Sequence, residues 1–433
     1  MAALIRGETA VSEGIAQADR IVTLDVVRGV AVMGILVMNI IAFAMPDAAY
    51  GNPSAYGSHG WIDYAFYNFN YLFFDGKMRG LFSFLFGASA LLVIERATAK
   101  GESPARIHYA RMFWLLIFGL AHLYLIWWGD ILQHYALVGM IVYFCRNLRI
   151  RRLVQIAGLL LLMQTAMFGL LAANIQHVET QIASGKASKD TREQYEALRD
   201  FFGRPSPESL AKNIATYRSA YPVILAERVK TNALAPIGTL FFVGWETLAY
   251  MLIGMAMLKN GLLRGEWPDE RYRRWLLTGA AIALPGYALG AWLMASRGYD
   301  MLGVALGIGL VSVPFRPFAI LAWASGLALL ARHGGALVAR IGAAGQMAFS
   351  NYLGTSLLCT TLFYGYGLGF YGALSRSQCY LVVLAVWGLM LLWSKPWLAR
   401  FRYGPMEWLW RSLARGRIEP MRRSRAVIAN AVQ

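Results

Sequence analysis

Long apolar stretches alternate with short polar segments over most of this 433-residue chain. A helix needs about 20 predominantly apolar residues to cross the hydrocarbon core of a bilayer. Ten stretches come close to that length, at roughly 24–45, 76–94, 112–128, 131–145, 153–173, 236–258, 275–295, 305–331, 346–364 and 378–394. The pattern predicts an all-α, polytopic membrane protein with about ten transmembrane helices. Pro314 and Pro317 interrupt the eighth stretch, so we expect a kink or a partly re-entrant segment there.

One long polar segment, 174–235, has five apolar stretches before it and five after it. Its charged and apolar residues follow helical spacing, which predicts two or three short helices outside the membrane. The predicted organisation is a cytoplasmic tail (1–23), a first five-helix half (24–173), an extracytoplasmic helical loop (174–235), a second five-helix half (236–395) and a basic amphipathic cytoplasmic tail (396–433).

The distribution of Lys and Arg predicts the orientation. With the N-terminus inside, the predicted inner segments carry 26 of these residues and the short outer segments carry 4. Positive residues concentrate on the cytoplasmic side of multi-pass proteins, so we expect both termini in the cytoplasm and the chain in a bacterial inner (plasma) membrane. The net charge of +17 comes largely from these clusters. Membrane lipids, rather than a nucleic acid, are therefore the expected surroundings.

Composition narrows the function classes. Hydrophobic residues make up 58% of the chain and charged residues 15%, whereas soluble domains average about 25% charged residues. The three cysteines include no CxxC pair, so we expect neither a disulfide framework nor a cysteine metal site. The motifs GxSxG, HExxH and Walker A are absent, and no metal cofactor is predicted.

The first apolar stretch, which contains TLDVVRGVAVMGILVMNI, carries three polar side chains that lipid disfavours. Asp25 and Arg28 are three residues apart and share a helix face. Asn39 follows Arg28 by eleven residues, which returns to nearly the same direction about 16 Å along the helix axis. We expect this stripe to face the bundle interior. It is either a buried structural ion pair with a bridging amide or one wall of a functional site.

The third apolar stretch and the turn after it hold His122 and Asp130, within FGLAHLYLIWWGDILQHYALVGM. Histidine is the natural proton acceptor near neutral pH, and a carboxylate within reach orients its ring. Eight residues place the two groups near each other without stacking them, so the turn at Gly129 must bring the Asp back. They are candidates for a general base and its orienting acid. A purely structural histidine is the competing interpretation, and His134 is a weaker candidate base.

Other charged side chains open or interrupt the apolar stretches. Asp75, Lys77 and Arg79 begin the second stretch, where simple anchoring at the interface is the competing interpretation. Glu246 lies near the middle of the sixth stretch and must pair with a cation or stay protonated. Its candidate partners are Arg28, Lys77, Arg79 and Arg316.

Asn351 and Thr355 lie one turn apart in the ninth stretch. Amide and hydroxyl groups at this spacing suit hydrogen bonding between membrane helices. Structural bonding is the favoured interpretation, with a place in a binding site as the alternative.

Five runs of the sequence resemble the YeiB-like bacterial inner-membrane proteins, a family filed as a domain of unknown function. The runs are LDVVRGVAVMGILVMNIIAFAMPDAAYGNP, GKMRGLFSFLFGAS, GDILQHYALVG, GQMAFSNYLGTSLL and RYGPMEWLWRSL. They occur in the family's order between about Arg20 and Leu413. That family is similar in turn to transmembrane acyltransferases, such as the heparan-glucosaminide N-acetyltransferases. The resemblance implies an acyl-CoA donor on the cytoplasmic side and an extracytoplasmic acceptor.

The resemblance to the acyltransferases also implies roles for single residues. It rests on the LDxxRG opening and on the spacing from Arg28 to Asn39, which the heparan enzymes share. Their catalytic histidine follows in the next outer loop, where this chain has His59 in the non-matching context AYGSHGW. His122 instead fits the YeiB-like pattern before GDIL. The implied base is therefore His122 or His59, with Asp130 orienting the ring.

Two functions fit these residues. The first is an acyltransferase that moves an acyl group from acyl-CoA to a glycan or small-molecule acceptor, with Arg28 and Asn39 lining the channel. Asn39 or Lys77 would stabilise the oxyanion. The substrate-binding set is completed by Asp25, Arg79, Glu246 and Asn351. The second function is a transporter with Glu246, Asp130 and Lys77 as a proton or solute relay. The acyl group, the acceptor and homo-oligomer formation are left open.

Overall fold

The computed structural model describes residues 21–423, which fold almost entirely as helices. No strand occurs in this part of the chain, although an antiparallel bridge joins Phe401 and Arg422. The first half contains α1 (Val22–Ala44), α2 (Ala48–Gly51), α3 (Trp61–Phe73), α4 (Lys77–Ala99), α5 (Pro104–Ala121), a π-helical turn (His122–Ile126), α6 (Leu132–Val142), a 3-10 turn (Tyr143–Cys145) and α7 (Ile150–Ala183). Most of the predicted first tail, and residues 424–433 of the second tail, lie outside the described residues.

The long polar segment after α7 forms three helices. They are α8 (Lys189–Phe202), α9 (Pro207–Tyr217) and α10 (Tyr221–Asn232). The second half contains α11 (Ala235–Lys259), α12 (Asp269–Ser296), α13 (Met301–Ala305), a second π-helical turn (Leu306–Val311), α14 (Ser312–His333), α15 (Ala336–Gln346), α16 (Ala348–Phe363), α17 (Arg376–Arg400) and α18 (Pro405–Arg415). The division into five domains stays a prediction.

Within residues 21–423, eight helices are long and apolar enough to cross a membrane. They are Val22–Ala44, Trp61–Ala99, Pro104–Ile126, Ile150–Ala183, Ala235–Lys259, Asp269–Ser296, Met301–His333 and Arg376–Arg400. The predicted all-α, multi-pass membrane fold is therefore confirmed. Its orientation and its placement in the inner membrane stay predictions.

Two of the ten predicted spans form shorter helices. The fourth corresponds to Leu132–Cys145, which is about 21 Å long at the usual helical rise. The ninth corresponds to α16, whose 16 residues extend about 24 Å, less than the roughly 30 Å of the hydrocarbon core. Most residues of α16 are buried inside the bundle. Its apolar character therefore serves packing between helices, which hydropathy alone does not distinguish from contact with lipid.

The break expected in the eighth stretch lies just before the prolines. The chain passes from α13 through the π-helical turn Leu306–Val311 into α14, which continues past Pro317. The Arg316 side chain donates to the carbonyl of Ile308 in that turn at 3.1 Å. A π-turn displaces backbone carbonyls from the regular helical ladder, and here one of them binds a buried guanidinium.

The helix α1 runs through the bundle and crosses α15 at backbone contact. A Cβ at Gly29 would lie 2.1 Å from the carbonyl oxygen of Ile341, and a Cβ at Gly345 would lie 1.9 Å from that of Asp25. Only glycine fits at both positions, because real Cβ atoms do not approach so closely. This crossing fixes the part of α1 that carries Asp25 and Arg28.

Candidate functional site

The His122 side chain lies in the π-helical turn that follows α5. The Trp127 amide closes this turn on the His122 carbonyl at 2.8 Å, and the chain then runs extended before reversing into α6. Nδ1 of His122 lies 2.8 Å from Oδ1 of Asp130, and both side chains are buried. The other carboxylate oxygen of Asp130 accepts the Gln133 amide at the start of α6. The acid is therefore held by a helix start, and it holds the imidazole in turn.

The second ring nitrogen of His122 is available for chemistry. Its Nε2 is buried and has no hydrogen-bond partner among residues 21–423. When Nδ1–H donates to Asp130, Nε2 carries the lone pair and accepts protons. The ring lies 5.3 Å, centroid to centroid, from the ring of Tyr352 on α16. This is the geometry of a general base oriented by a carboxylate.

A cavity of about 470 Å³ opens among α1, α4, α5, α6, α16 and α18, within the usual range for small-molecule sites. Its cationic lining in the described part of the chain consists of Arg28, Arg96, Arg111, Arg402, Arg411 and Arg423. These arginines lie near the helix ends that the charge pattern assigns to the cytoplasm. Two acids, Asp25 and Glu407, also line the cavity. The mouth is therefore strongly positive.

The inner part of the cavity is apolar and leads toward Tyr352. Its walls include Ile35, Phe82, Leu115 and Ile131. Along α1 the lining extends from Leu24 to Ile35, about 16 Å at the helical rise. The wall therefore changes from cationic to apolar with depth.

A second hollow of about 10 Å³, roughly the room for one water, lies beyond Tyr352. Asn39, Thr355 and Ser356 line it, and Tyr352 and Ile35 border both spaces. The Asn39 side chain makes no hydrogen bond to another residue of the region 21–423. Tyr352 thus shares this hollow with Asn39, and its ring also lies beside that of His122.

The Asp25–Arg28 pair of the stripe forms in the structure, and its role in a functional site stays a prediction. Nη1 of Arg28 lies 3.4 Å from Oδ1 of Asp25, while Nη2 donates to Ser89 at 3.0 Å. The two side chains also line the cavity. The pair holds the guanidinium in place, and the site wall presents it to whatever occupies the cavity.

The helix α18 closes the cationic end of the cavity. The Glu407 carboxylate accepts the amides of Phe349 and Ser350, at 2.7 and 3.1 Å, and the Ser350 hydroxyl at 2.5 Å. It thereby satisfies free donors at the start of α16. Burial raises the pKa of the Glu407 carboxyl and lowers that of the Arg411 guanidinium. The Arg111 guanidinium stacks 4.0 Å from the Trp410 ring.

A second cluster surrounds Glu246 on α11. Arg79 and Arg316 each bind one of its carboxylate oxygens at 2.5 Å, and the Tyr250 hydroxyl donates at 2.8 Å. Of the four candidate partners, the structure selects these two arginines. None of the four residues of this cluster lines the cavity. Glu246 and Arg79, predicted to bind substrate, therefore lie in a separate ionic cluster.

The remaining predicted residues are placed as follows. The Lys77 ammonium lies 3.0 Å from the centroid of the Tyr287 ring and donates to the Tyr71 carbonyl at 2.7 Å. Among the described residues it forms no ion pair. The Asn351 amide donates to the Ala344 carbonyl at 3.0 Å. His59 is exposed. None of these predicted side chains lines either hollow.

No group of His, Cys, Asp or Glu within residues 21–423 has a metal-binding arrangement.

The sequence analysis missed three residues of the cavity wall, Tyr352, Glu407 and Trp410. The first lies in GQMAFSNYLGTSLL and the other two in RYGPMEWLWRSL, so the motifs marked the right segments without indicating that they meet.

Comparison with known proteins supports the resemblance seen in the sequence. The chain is 33% identical to the uncharacterized protein YeiB of Escherichia coli (strain K12) over 405 residues, covering 91% of this chain and 96% of the relative. The chain belongs to the YeiB-like family. It is also 30% identical to the uncharacterized protein YxaH of Bacillus subtilis (strain 168), over 91% of this chain and 94% of that protein. The family model described as a protein of unknown function (DUF418) matches residues 257–417.

Comparison with solved structures found no significant match. Neither relative's name carries an activity, so function must be argued from the site. All five YeiB-like runs contribute to the cavity or to His122. They supply, in chain order, Asp25 and Arg28, Phe82, Asp130, Tyr352 and Arg411. The family's sequence signature and the cavity therefore coincide in this chain.

Proposed function

We propose that this protein is a membrane acyltransferase that moves an acyl group from a cytoplasmic acyl-CoA to an extracytoplasmic hydroxyl or amine, with His122 as general base. The observation that carries the proposal is the combination of an arginine-lined cavity with a buried, carboxylate-held histidine, whose ring lies 5.3 Å, centroid to centroid, from that of the lining residue Tyr352. The proposal places both termini in the cytoplasm and the chain in the inner membrane. His59 is exposed, unlike the buried and carboxylate-held His122, and it has no role in the proposal.

The cationic mouth suits the donor's phosphates. CoA carries a diphosphate and a further phosphate at one end and a thiol at the end of a long, narrow arm. Guanidinium groups bind phosphate oxygens in bidentate pairs. The apolar inner wall receives the arm, which would bring the thioester toward Tyr352, His122 and Asn39. The cavity wall thus changes from cationic to apolar in the same order as the donor changes from its phosphates to its arm.

The chemical step follows from the two ring nitrogens. Nε2 of His122 removes the proton from the acceptor hydroxyl or amine as this attacks the thioester carbonyl. The resulting tetrahedral oxyanion receives a hydrogen bond from the Asn39 amide. The carbon–sulfur bond then breaks, and the thiolate takes the proton from the imidazolium. The products are the acylated acceptor and free CoA. Asp130 stabilises the cationic ring throughout.

The transporter alternative gains less support from the geometry. A proton relay needs an acid that can release and recover its proton. The Glu246 carboxylate accepts hydrogen bonds from Arg79, Arg316 and Tyr250 at once, which stabilises the charged form. Asp130 is likewise bonded through both oxygens. These acids hold structure in place rather than exchange protons.

The substitution Arg28→Lys tests the role of the cavity. Lys keeps the charge but lacks the planar fork, so we expect KM for acyl-CoA to rise about tenfold, equivalent to about 1.4 kcal/mol. Transfer of label from radiolabelled acetyl-CoA to membrane material in inside-out vesicles provides the measurement. Arg297→Lys is the matched control, because Arg297 forms an exposed pair with Asp300 at the same spacing and lies outside the cavity.

The double variant Arg28→Met with Asp25→Leu separates the two interpretations of the stripe. Apolar replacement of both members of a buried ion pair is often tolerated for folding. The proposal predicts a folded protein with the same rise in KM. Full activity in this double variant would reduce the stripe to a structural pair and remove Arg28 from the donor site.

A further inference from the structure

The outer helix α10 packs directly over the π-helical turn that carries His122. The Tyr221 hydroxyl on α10 donates to the Leu125 carbonyl at 2.9 Å, and the Tyr124 hydroxyl donates to the Ala233 carbonyl at 3.2 Å. The Arg228 guanidinium donates to the Tyr124 carbonyl at 3.3 Å. Arg228 is therefore held at a position two residues along the turn from the proposed base, and it lines neither hollow.

Arg228 is a buried cation whose hydrogen bonds are incomplete. The residue is 1% exposed, and its Nε and Nη2 have no hydrogen-bond partner within the described chain. It also forms no ion pair there. Burial, and then the nearby acids Asp47 and Glu227, raise the pKa of the Tyr217 hydroxyl. Neither acid forms an ion pair with Arg228. An unpaired buried charge is costly to a fold, which points to a negatively charged group that binds there.

Two further buried donors have no acceptor among the described residues, one beside Arg228 and one beside His122. The Tyr364 hydroxyl is buried and unpartnered, and its ring centroid lies 6.0 Å from the Arg228 guanidinium carbon. Burial raises the pKa of this hydroxyl well above its usual range, so it stays protonated and donates. The indole N–H of Trp127 is likewise unpartnered, and its ring lies 6.3 Å from that of His122. Trp127, Tyr364 and the α10 residue Ile224 belong to one buried cluster.

We infer that Arg228, Tyr364 and Trp127 form a binding site for an anionic group, a carboxylate or a phosphate, on the outer side of His122. The guanidinium supplies two N–H donors in a fork, and the tyrosine and tryptophan supply one donor each. Within the proposed function, on which this reading of the site rests, the anion belongs to the acceptor. The acceptor class is then an acidic sugar or a phosphorylated polyol, whose hydroxyl is presented to Nε2.

Ligand-dependent thermal unfolding of the purified protein tests the site without acyl-CoA. The probes are glucuronate, glucose 6-phosphate and uncharged glucose, at equal ionic strength. We expect at least one anionic sugar to raise Tm by about 2 °C when saturating, and glucose to leave it unchanged. Which of the two anions stabilises more distinguishes a carboxylate ligand from a phosphate ligand.

Two variants assign the shift to this site. Arg228→Gln should abolish it, and Tyr364→Phe, which keeps the ring and removes only the hydroxyl, should reduce it. Arg204→Gln is the matched control, because Arg204 is an outer arginine bonded to Ser54 and Gly298. The control should keep the full shift.

Absence of a shift with both anionic sugars, or an equal shift in Arg228→Gln, would overturn the anion site. If Arg228→Gln does not fold, Tyr364→Phe decides, and an undiminished shift in that variant counts against the site. Because the titration contains no acyl-CoA, its failure leaves the proposed function standing. If the wild-type protein shows the increase in Tm with an anionic sugar but transfers no acyl group, the proposed function alone is overturned.

Discussion

Replacement of His122 by Ala should lower the rate of acyl transfer by roughly a hundredfold or more, the usual contribution of a positioned general base. The reason is the geometry of the ring, which Asp130 holds through Nδ1 at 2.8 Å while the lone pair of Nε2 meets no donor from the described part of the chain. Label transfer from acyl-CoA in membrane vesicles, normalised to folded protein by size-exclusion chromatography, provides the measurement. KM for acyl-CoA should change little, because His122 does not line the cationic mouth.

Two companion variants make this test specific. The rate of acyl transfer in Asp130→Asn should lie between those of wild type and His122→Ala, since the ring loses its orienting carboxylate but remains present. His59→Ala is the matched control, and its rate should stay near that of wild type, because that histidine is exposed whereas the His122 ring is buried and held by Asp130. Inactive His59→Ala beside active His122→Ala would establish the heparan-enzyme arrangement and refute the present assignment.

Replacement of Glu246 by Ala should destabilise the protein by about 3–5 kcal/mol, the range measured when one partner of a buried ion pair is removed. The carboxylate is 1% exposed and binds Arg79 and Arg316, one on each oxygen. Its loss leaves the buried Arg316 guanidinium and the partly buried Arg79 guanidinium without their counter-charge. The decrease in Tm of the detergent-solubilised protein, together with the yield of monodisperse protein, provides the measurement.

The surface pair of Glu95 and Arg264 supplies the control. These side chains are 3.1 Å apart and largely exposed, so Glu95→Ala should cost less than about 1 kcal/mol. A Glu246→Ala protein as stable as wild type would contradict the structural role of the cluster. If that variant also failed to move solute into proteoliposomes that wild-type protein fills, the transporter interpretation would be favoured.

The membrane fold was predictable because the bilayer requires long apolar helices. Each such helix can be recognised from its own stretch of sequence. The prediction from hydropathy fails at α16, where an apolar helix of 16 residues packs inside the bundle. Hydropathy reports the absence of polar groups, not what surrounds them. The pairing of Asp25 with Arg28 could likewise be predicted from the sequence, since a separation of three residues places both side chains on one face of a helix.

The contact between His122 and Asp130 was only partly predictable. Eight residues of regular helix would turn the groups apart, and the π-helical turn followed by an extended Trp127 brings them together. No residue pattern announced that turn. The sequence narrowed the partners of Glu246 to four cations. Only the tertiary arrangement, which brings Arg79 of α4 and Arg316 of α14 to the Glu246 carboxylate, decided between them.

Contacts between distant segments could not be predicted from the residues at all. Glu407 caps α16 from 57 positions away in the sequence, and Tyr352 borders both hollows because α16 packs beside α1. The runs that contain these residues were recognisable as family motifs. Their joint role as walls of one cavity depends on tertiary packing, which a single sequence does not encode in any local pattern.

The central claim is that the arginine-lined cavity holds acyl-CoA with its thioester directed toward His122. Cryo-electron microscopy of the protein with a thioether analogue of acetyl-CoA tests this directly. The account predicts density in the cavity, with phosphate oxygens at about 2.7–3.2 Å from guanidinium nitrogens of Arg28, Arg402 or Arg411, and with the sulfur end beside Tyr352 and His122. An empty cavity at saturating analogue, or analogue bound with its phosphates away from these arginines, would contradict it.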